Sequence, residues 1–264
     1  MRKFLAAGLL GLVLAISLPA QVPWEPRKSV GGVSEGISAD PLGRFYIVRN
    51  GMLIKYSGSG DSLASWSDPA KGAITRIDAT DPLRTMVLQQ DFNLIRFLSN
   101  QLSPLSDPIA LDQLGITHPL AVANSNQGGF WVLDGTSLRL RRYDHQLALV
   151  SESAPLSLPP SFEKSRLLLF ESGTRLWLII PGAEIRQFDP FGNPLRRIHM
   201  AVVSASPAGE EILLTYPDKL VLFSDPATSG ITILDWPGAP LLEGCVQNNQ
   251  LWIRTAQEVI ILSR

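Results

Sequence analysis

The stretch LIKYSGSGDSL, Leu53 to Leu63, decides how the rest of the chain is read. Its Gly-Ser-Gly core fits a phosphate-cradling loop, which would mean a nucleotide enzyme, and it fits equally a tight turn between β-strands. Glycine serves both purposes, because without a Cβ it admits positive φ and lets backbone approach closely. A second stretch, EIRQFDPFGNPL from Glu184, separates the two. Tyr56, Gly60 and Leu63 are spaced by four and three, and so are Phe188, Gly192 and Leu195. In the place of SGSGDS stands DPFGNP, which ends strands and turns the chain. A phosphate loop also needs a following helix whose N-terminus faces the anion, and here the extended LASW follows. The stretch is predicted to be a third strand, an outer turn and the start of a fourth strand.

Working outward, LIRFLSNQLSPL from Leu94 and LRLRRYDHQLALV from Leu138 read as shortened versions of the same unit. Upstream of each unit's turn strand lies another strand: GRFYIV, RTMVLQQ, GFWVLD and RLWLII. Further upstream lies a small-residue strand: SEGISAD, ITRIDAT, LAVANS, LLLFES, VVSASP and LEGCVQ. These short apolar runs are bounded by Gly, Pro, Asn, Asp and Ser, and no long window carries a capped helical period. The four-strand unit can be written six times, beginning near Val33, Ala73, Pro119, Ser165, Ala201 and Leu241. Intervals of about 40 residues are the period of propeller blades. The sixth unit lacks its outermost strand, and VPWEPRKSV near the N-terminus is predicted to supply it and close the ring. The expected architecture is all-β, a six-bladed β-propeller in one domain. A β-sandwich would not produce six units with a shared small-large-large order. Seven blades stay open, because Ser151 to Lys164 is irregular.

The bulk numbers agree. Of 264 residues 45% are hydrophobic and 18% charged, enough for a core and without a signature of disorder. A net charge of -1 offers no basic footprint, so nucleic acid is not an expected partner. Arg2 and Lys3, the apolar run Phe4 to Leu18 and the terminal Ala20 read as a signal peptide over residues 1–20, leaving a single propeller domain over 21–264. A retained anchor is the alternative, although the run is shorter than the roughly 20 residues that span a bilayer. The mature chain is therefore expected in an exported compartment without direct membrane insertion. Cys245 is the sole cysteine, so an intramolecular disulfide is impossible; its apolar flanks predict a small buried side chain.

Candidates for chemistry are sparse. His118, His145 and His199 fall in different units without ligand spacing. EGISADPLGRFYIV from Glu35 resembles the opening of the regucalcin-like lactonases, six-bladed propellers in which a Glu before Gly binds a divalent metal. That family requires further Asn and Asp ligands on later inner strands. Here Ser204 and Ser206 stand in the fifth unit, and Asn124 alone is on offer in the third. Glu35 is accordingly expected on a channel rim or blade loop, with no metal or cofactor bound. DPLGRFYIV and NQGGFWVLD also match the Asp/Asn-x-x-Gly-aromatic turn of NHL-like propellers, which specifies the fold and no substrate. Trp131, Trp177 and Trp252 share one position in three units and are predicted inter-blade core. Arg139, Arg141, Arg142, Arg196 and Arg197 are read as edge protection.

One block is less generic. KGAITRIDATDPLRTMVLQQDFNLIRFLSNQLSPLSDPIAL, Lys71 to Leu111, together with its flanks from Asp40 to Asp144, resembles the Plug proteins of the Bacteroidetes type IX secretion system. The shared order is a Lys-Tyr strand, a Gly-x-Ile-Thr-x-Ile-Asp strand, Asn/Asp-Pro-Leu and a DFN hairpin. Asp81 stands where the family often has Asn, and Ser99 where Asp is common. The resemblance implies a non-enzymatic periplasmic propeller, a monomer within a complex, that docks on the outer-membrane translocon barrel and occludes it. It also nominates partner-binding residues. Asp78, Asp81, Pro82 and Leu83 would sit on one face, and the hairpin Asp91, Phe92 and Asn93 would crown it. A regucalcin-type hydrolase and a generic envelope scaffold are the alternatives.

Overall fold

The computed structural model describes residues 23–160, 167–224 and 229–264; the expected signal peptide, residues 1–20, lies outside them. The second strands of the six units are Phe45–Arg49, Thr85–Gln89, Phe130–Asp134, Arg175–Ile180, Glu211–Thr215 and Gln250–Arg254. They are apolar on both sides and almost wholly buried. A strand covered on both faces shows a continuous hydrophobic run instead of alternation. Burial on both sides is what radial packing of blades produces.

The described residues form six four-stranded antiparallel sheets. Five of them use consecutive strands from the inside outward. The sixth is ordered differently: Glu25–Gly31 near the N-terminus pairs with the last strand, Glu258–Ser263, and completes that blade. The guanidinium of Arg264 lies 4.3 Å from the Trp24 ring, binding the two chain ends a second time. The fold is a six-bladed β-propeller closed by its N-terminal strand. Among the described residues, Ser151 to Lys164 contributes no seventh blade. Its described part is the end of the third blade's outermost strand, Leu149–Glu152, followed by a crossing in which Leu156 bonds back to Leu138.

Among the described residues the core is divided into six clusters, and each straddles two adjacent blades. Trp131, Trp177 and Trp252 lie fully buried in three of them, as their shared position predicted. Fully burying a large aromatic removes some 150–250 Å² from water, roughly 4–6 kcal/mol each before conformational entropy is counted.

Two faces of the disc need names. Because the strands alternate in direction, the first face carries the turns from innermost to second strand and from third to outermost. The second face carries the second-to-third hairpins and the crossings between blades. On the first face one turn recurs. In Ser57–Asp61, Ser99–Ser103, Asp144–Ala148 and Asp189–Asn193 the first residue's oxygen accepts the amide of the fourth and its own amide bonds the carbonyl of the fifth. The fourth residue is left-handed each time: Gly60, Leu102, Leu147 and Gly192. The stretches from Leu94 and Leu138 are therefore full-length copies, with leucine in the glycine's place, and not shortened ones.

Candidate functional site

The innermost strands enclose a central cavity of about 310 Å³. Its wall is stitched at every blade junction by a hydrogen bond from or to an innermost-strand side chain. Ala79 N donates to Ser38 Oγ (3.1 Å), Asn124 N to Asp78 Oδ2 (2.7 Å), and Asn126 N to Glu171 Oε2 (2.6 Å). Ser172 Oγ donates to the Gly209 carbonyl (2.8 Å), Ser206 Oγ to that of Gly244 (2.7 Å), and Ile37 N to Glu243 Oε2 (3.0 Å). Buried donors and acceptors must find partners, and here they find them across the junctions.

These bonds occupy the groups that chemistry would use. Glu171 also accepts from Ser125 Oγ and Trp131 Nε1, and Glu243 from Arg254 Nε. Asn124 Nδ2 donates to the Asp78 carbonyl. Arg76 crosses the cavity from blade 2, with its guanidinium on the carbonyls of Thr75 and Leu167. Burial pushes the Arg76 guanidinium down from its ordinary value, against the pull of Glu243. Glu35 is exposed at the second-face mouth. No group of three or more His, Cys, Asp or Glu side chains is placed to hold a metal among the described residues. His118, His145 and His199 are exposed on three different parts of the disc. Cys245 is buried, and burial pushes its thiol up to about 12, a poor nucleophile at neutral pH.

The seven residues nominated for partner binding do not form one surface. Asp78, Asp81, Pro82 and Leu83 belong to the first-face turn between Arg76–Asp78 and Thr85–Gln89. Asp91, Phe92 and Asn93 belong to the hairpin after Thr85–Gln89, on the second face. Five residues of strand separate them, roughly 16 Å at about 3.3 Å per residue. Asp78 is only 7% exposed and works inward. Besides Asn124, it accepts from Thr80 N (2.9 Å) and Thr80 Oγ1 (2.5 Å). Asp81 Oδ1 caps the Leu83 amide (2.9 Å), and Pro82 is half-buried. Leu83 is left 68% exposed. Phe92 is exposed but lies over Gly72, where an added Cβ would come within 2.9 Å of its ring. Asn93 is left-handed and ties Asp112 to the Thr117 carbonyl.

The residue that sequence reasoning passed over is Leu42. It sits in Asp40-Pro41-Leu42 as Leu83 sits in Asp81-Pro82-Leu83, on the same face of the adjacent blade. Asp40 Oδ1 caps the Leu42 amide at 2.9 Å, and Leu42 is 61% exposed. The repeated Asp-Pro-Leu was the available signal. Beneath it, Asp40 Oδ2 accepts from Arg44 Nε (2.7 Å) and Tyr46 Oη (2.9 Å). Burial pushes the Tyr46 phenol well above its ordinary value. Arg44 and Lys55 both reach Asn100 Oδ1 of blade 2 (2.6 and 2.5 Å). The turn thus stands on a buried polar network spanning two blades.

Fold and cavity together define a six-bladed β-propeller whose inner wall is stitched blade to blade. Among solved structures the chain is similar to the WD40 domain of Pan2 from Neurospora crassa. The TM-score is 0.60 and the identity 10%, over 91% of this chain and 95% of that one. It is also similar to virginiamycin B lyase from Staphylococcus aureus (TM-score 0.57, 13% identity, 94% of this chain and 83% of that one). A third likeness is to the C-terminal WD40 domain of Sif2 (0.54, 13%, 89% and 82%). At these identities the likeness establishes the propeller fold alone. No protein-family model and no curated protein matches the chain.

Proposed function

We propose that this protein is a non-enzymatic docking propeller of the bacterial envelope, which seats on the type IX secretion translocon barrel and occludes it. The observation that carries the reading is the twin Asp-Pro-Leu turn, with Leu42 and Leu83 exposed on one face of adjacent blades and held by aspartate caps. An apolar side chain in water gains nothing for the free protein, and on a rigid turn it loses little entropy on docking. The resemblance of Asp40 to Asp144 to Plug proteins covers both turns and supplies the partner, the outer-membrane barrel. The placement rests on reading residues 1–20 as a signal peptide, which would send the chain to the periplasm. No helix among the described residues is long and apolar enough to cross a membrane. The absence of a catalytic role is supported by the cavity's carboxylates: Glu171, Glu243 and Asp78 are committed to stitching the blades.

The test is affinity purification of the tagged full chain from solubilised outer membranes. Co-purification of the translocon barrel at near-equal amounts is expected, lost on Leu42→Ser with Leu83→Ser. Recovery of the protein without any translocon component would overturn the reading.

A further inference from the structure

The buried polar network beneath the Asp40-Pro41-Leu42 turn brings together an amine, a carboxamide and a guanidinium. Lys55 lies on the third strand of blade 1, Met52–Tyr56, and is only 2% exposed. Lysine is almost never buried so completely unless it is paired. Here it meets one residue of the next blade: Nζ donates to the main-chain carbonyl of Asn100 (2.5 Å) and to its side-chain Oδ1 (2.5 Å). A carbonyl bond is about 1.2 Å long, so Nζ stands no farther than about 3.7 Å from Asn100 Cγ. A nucleophile poised to attack lies about 3–3.5 Å from its target atom.

The pair is set up to react as well as close. Burial, joined by the charge of Arg44, pushes the Lys55 ammonium down from its ordinary value, against the pull of Asp40. A desolvated lysine beside another cation is an activated nucleophile. Arg44 Nη1 donates to the same Oδ1 at 2.6 Å, where negative charge develops when Cγ is attacked. Asp40 Oδ2 accepts from Arg44 Nε at 2.7 Å and holds the guanidinium there. Asn100 stands on a rigid turn. Ser99 Oγ accepts the amides of Gln101 and Ser103 (3.2 Å each), and the left-handed Leu102 is sunk in the core between blades 1 and 2.

The repeat does not account for this pair. Two residues before the recurring turn, the other three units have Phe97, Arg142 and Gln187. As second residue of that turn they have Gly58, His145 and Pro190. Among the described turns, an amine faces a carboxamide only at the junction of blades 1 and 2.

We infer that Lys55 and Asn100 condense to an isopeptide bond that locks blade 1 to blade 2. The Lys55 ammonium gives one proton to solvent, and the free Nζ lone pair attacks Asn100 Cγ. The carbonyl electron pair moves to Oδ1, whose charge Arg44 Nη1 stabilises. A proton passes from the attached Nζ to Nδ2, the electron pair returns, and the Cγ–Nδ2 bond breaks. Ammonia leaves and takes up the proton released at the start. Asn100 is half-buried, which opens a path to solvent for it. The bond joins residues 45 apart in the chain. It consumes no oxidant, in a chain whose sole cysteine excludes an intramolecular disulfide. The reaction runs once per molecule and is independent of the docking reading.

Tryptic mapping of the purified full chain by mass spectrometry tests this. Trypsin does not cut after an acylated lysine. The expected product is a branched peptide joining Asn50–Lys71 to Phe97–Arg139, lighter than the two together by one ammonia. Recovery of Lys55 and Asn100 in separate, unmodified peptides overturns the inference. So does an ammonia loss that maps elsewhere, such as to a cyclised Gln21, without the branched peptide. This measurement on the wild type stands whether or not any variant folds. Lys55→Arg and Asn100→Ala should each abolish the branched peptide, and its persistence in either overturns the assignment. In newly synthesised chain, Arg44→Lys should slow its appearance roughly 100-fold; an unchanged rate overturns the role given to Arg44.

Discussion

Replacing Asp78 by alanine tests whether this carboxylate is a blade staple. It is buried beside Asn124, which is itself 3% exposed, and it serves three donors: Asn124 N, Thr80 N and Thr80 Oγ1. Leaving the buried Asn124 amide without an acceptor costs about 1–3 kcal/mol. The Thr80 donors are half-buried and are partly rescued by water, adding about 0.5–1 kcal/mol. Removing a buried carboxylate returns some desolvation energy, which trims the total. The net expectation for Asp78→Ala is a loss of about 2–3 kcal/mol, or a fall in Tm of roughly 5–10 °C for a chain of this size. Asp78→Asn keeps one acceptor oxygen and should lose about half as much. Asp81→Ala is the control, for Asp81 caps one exposed amide and lies 3.6 Å from Arg84; its cost should stay below about 1 kcal/mol. Urea denaturation followed by tryptophan fluorescence reads all three. Asp78 is not a staple if Asp78→Ala unfolds at the wild-type midpoint, or if Asp81→Ala is as costly.

Leu102 and Leu147 are both left-handed, but Leu102 is 3% exposed and Leu147 37%. Leu102→Gly relieves the backbone but empties a buried site, so it should destabilise by about 2 kcal/mol or more, whereas Leu147→Gly relieves the backbone at an exposed site and should stabilise by roughly 1 kcal/mol; thermal denaturation compares them. For Glu184, burial pushes the carboxyl up, and the bonds from Arg186 and Arg197 outweigh it and hold the value below the ordinary one of 4.5. A depressed carboxylate gives stability that is present above its unfolded value and lost as pH falls through the folded one. Stability should therefore drop below pH 4.5 in the wild type and less steeply in Glu184→Gln, as read from denaturation midpoints along a pH series. Deleting Glu25–Gly31 exposes Val259 and Ile261 of the last blade and removes its outer ladder. The truncated chain should lose cooperative unfolding or aggregate, and a wild-type denaturation curve would refute closure by this strand.

Much of the fold was legible because it is written within each repeat. Turn chemistry and small-residue, apolar and aromatic strands recur about every 40 residues, and local forces suffice to pair neighbouring strands of one blade. Closure was legible too, since the sixth unit visibly lacked a strand that the N-terminal segment resembled. The equivalence of the turns at Leu102 and Leu147 with those at Gly60 and Gly192 was hidden, because a leucine in the left-handed place erases the glycine signal. The candidate site was legible only in part. Asp78 and Asp81 look alike three residues apart, yet one ends an innermost strand against the next blade and the other caps an exposed turn.

By itself, then, the sequence determined the blades, their number to within one and the strand that closes the ring, because these depend on chemistry inside a unit or at the chain ends. The tertiary structure alone decided which turns share a face. That assignment follows strand direction and places the DFN hairpin opposite the Asp-Pro-Leu turns, although the two are neighbours in sequence. It alone also decided that Leu102 is buried and Leu147 exposed, since burial depends on what the adjacent blade brings alongside.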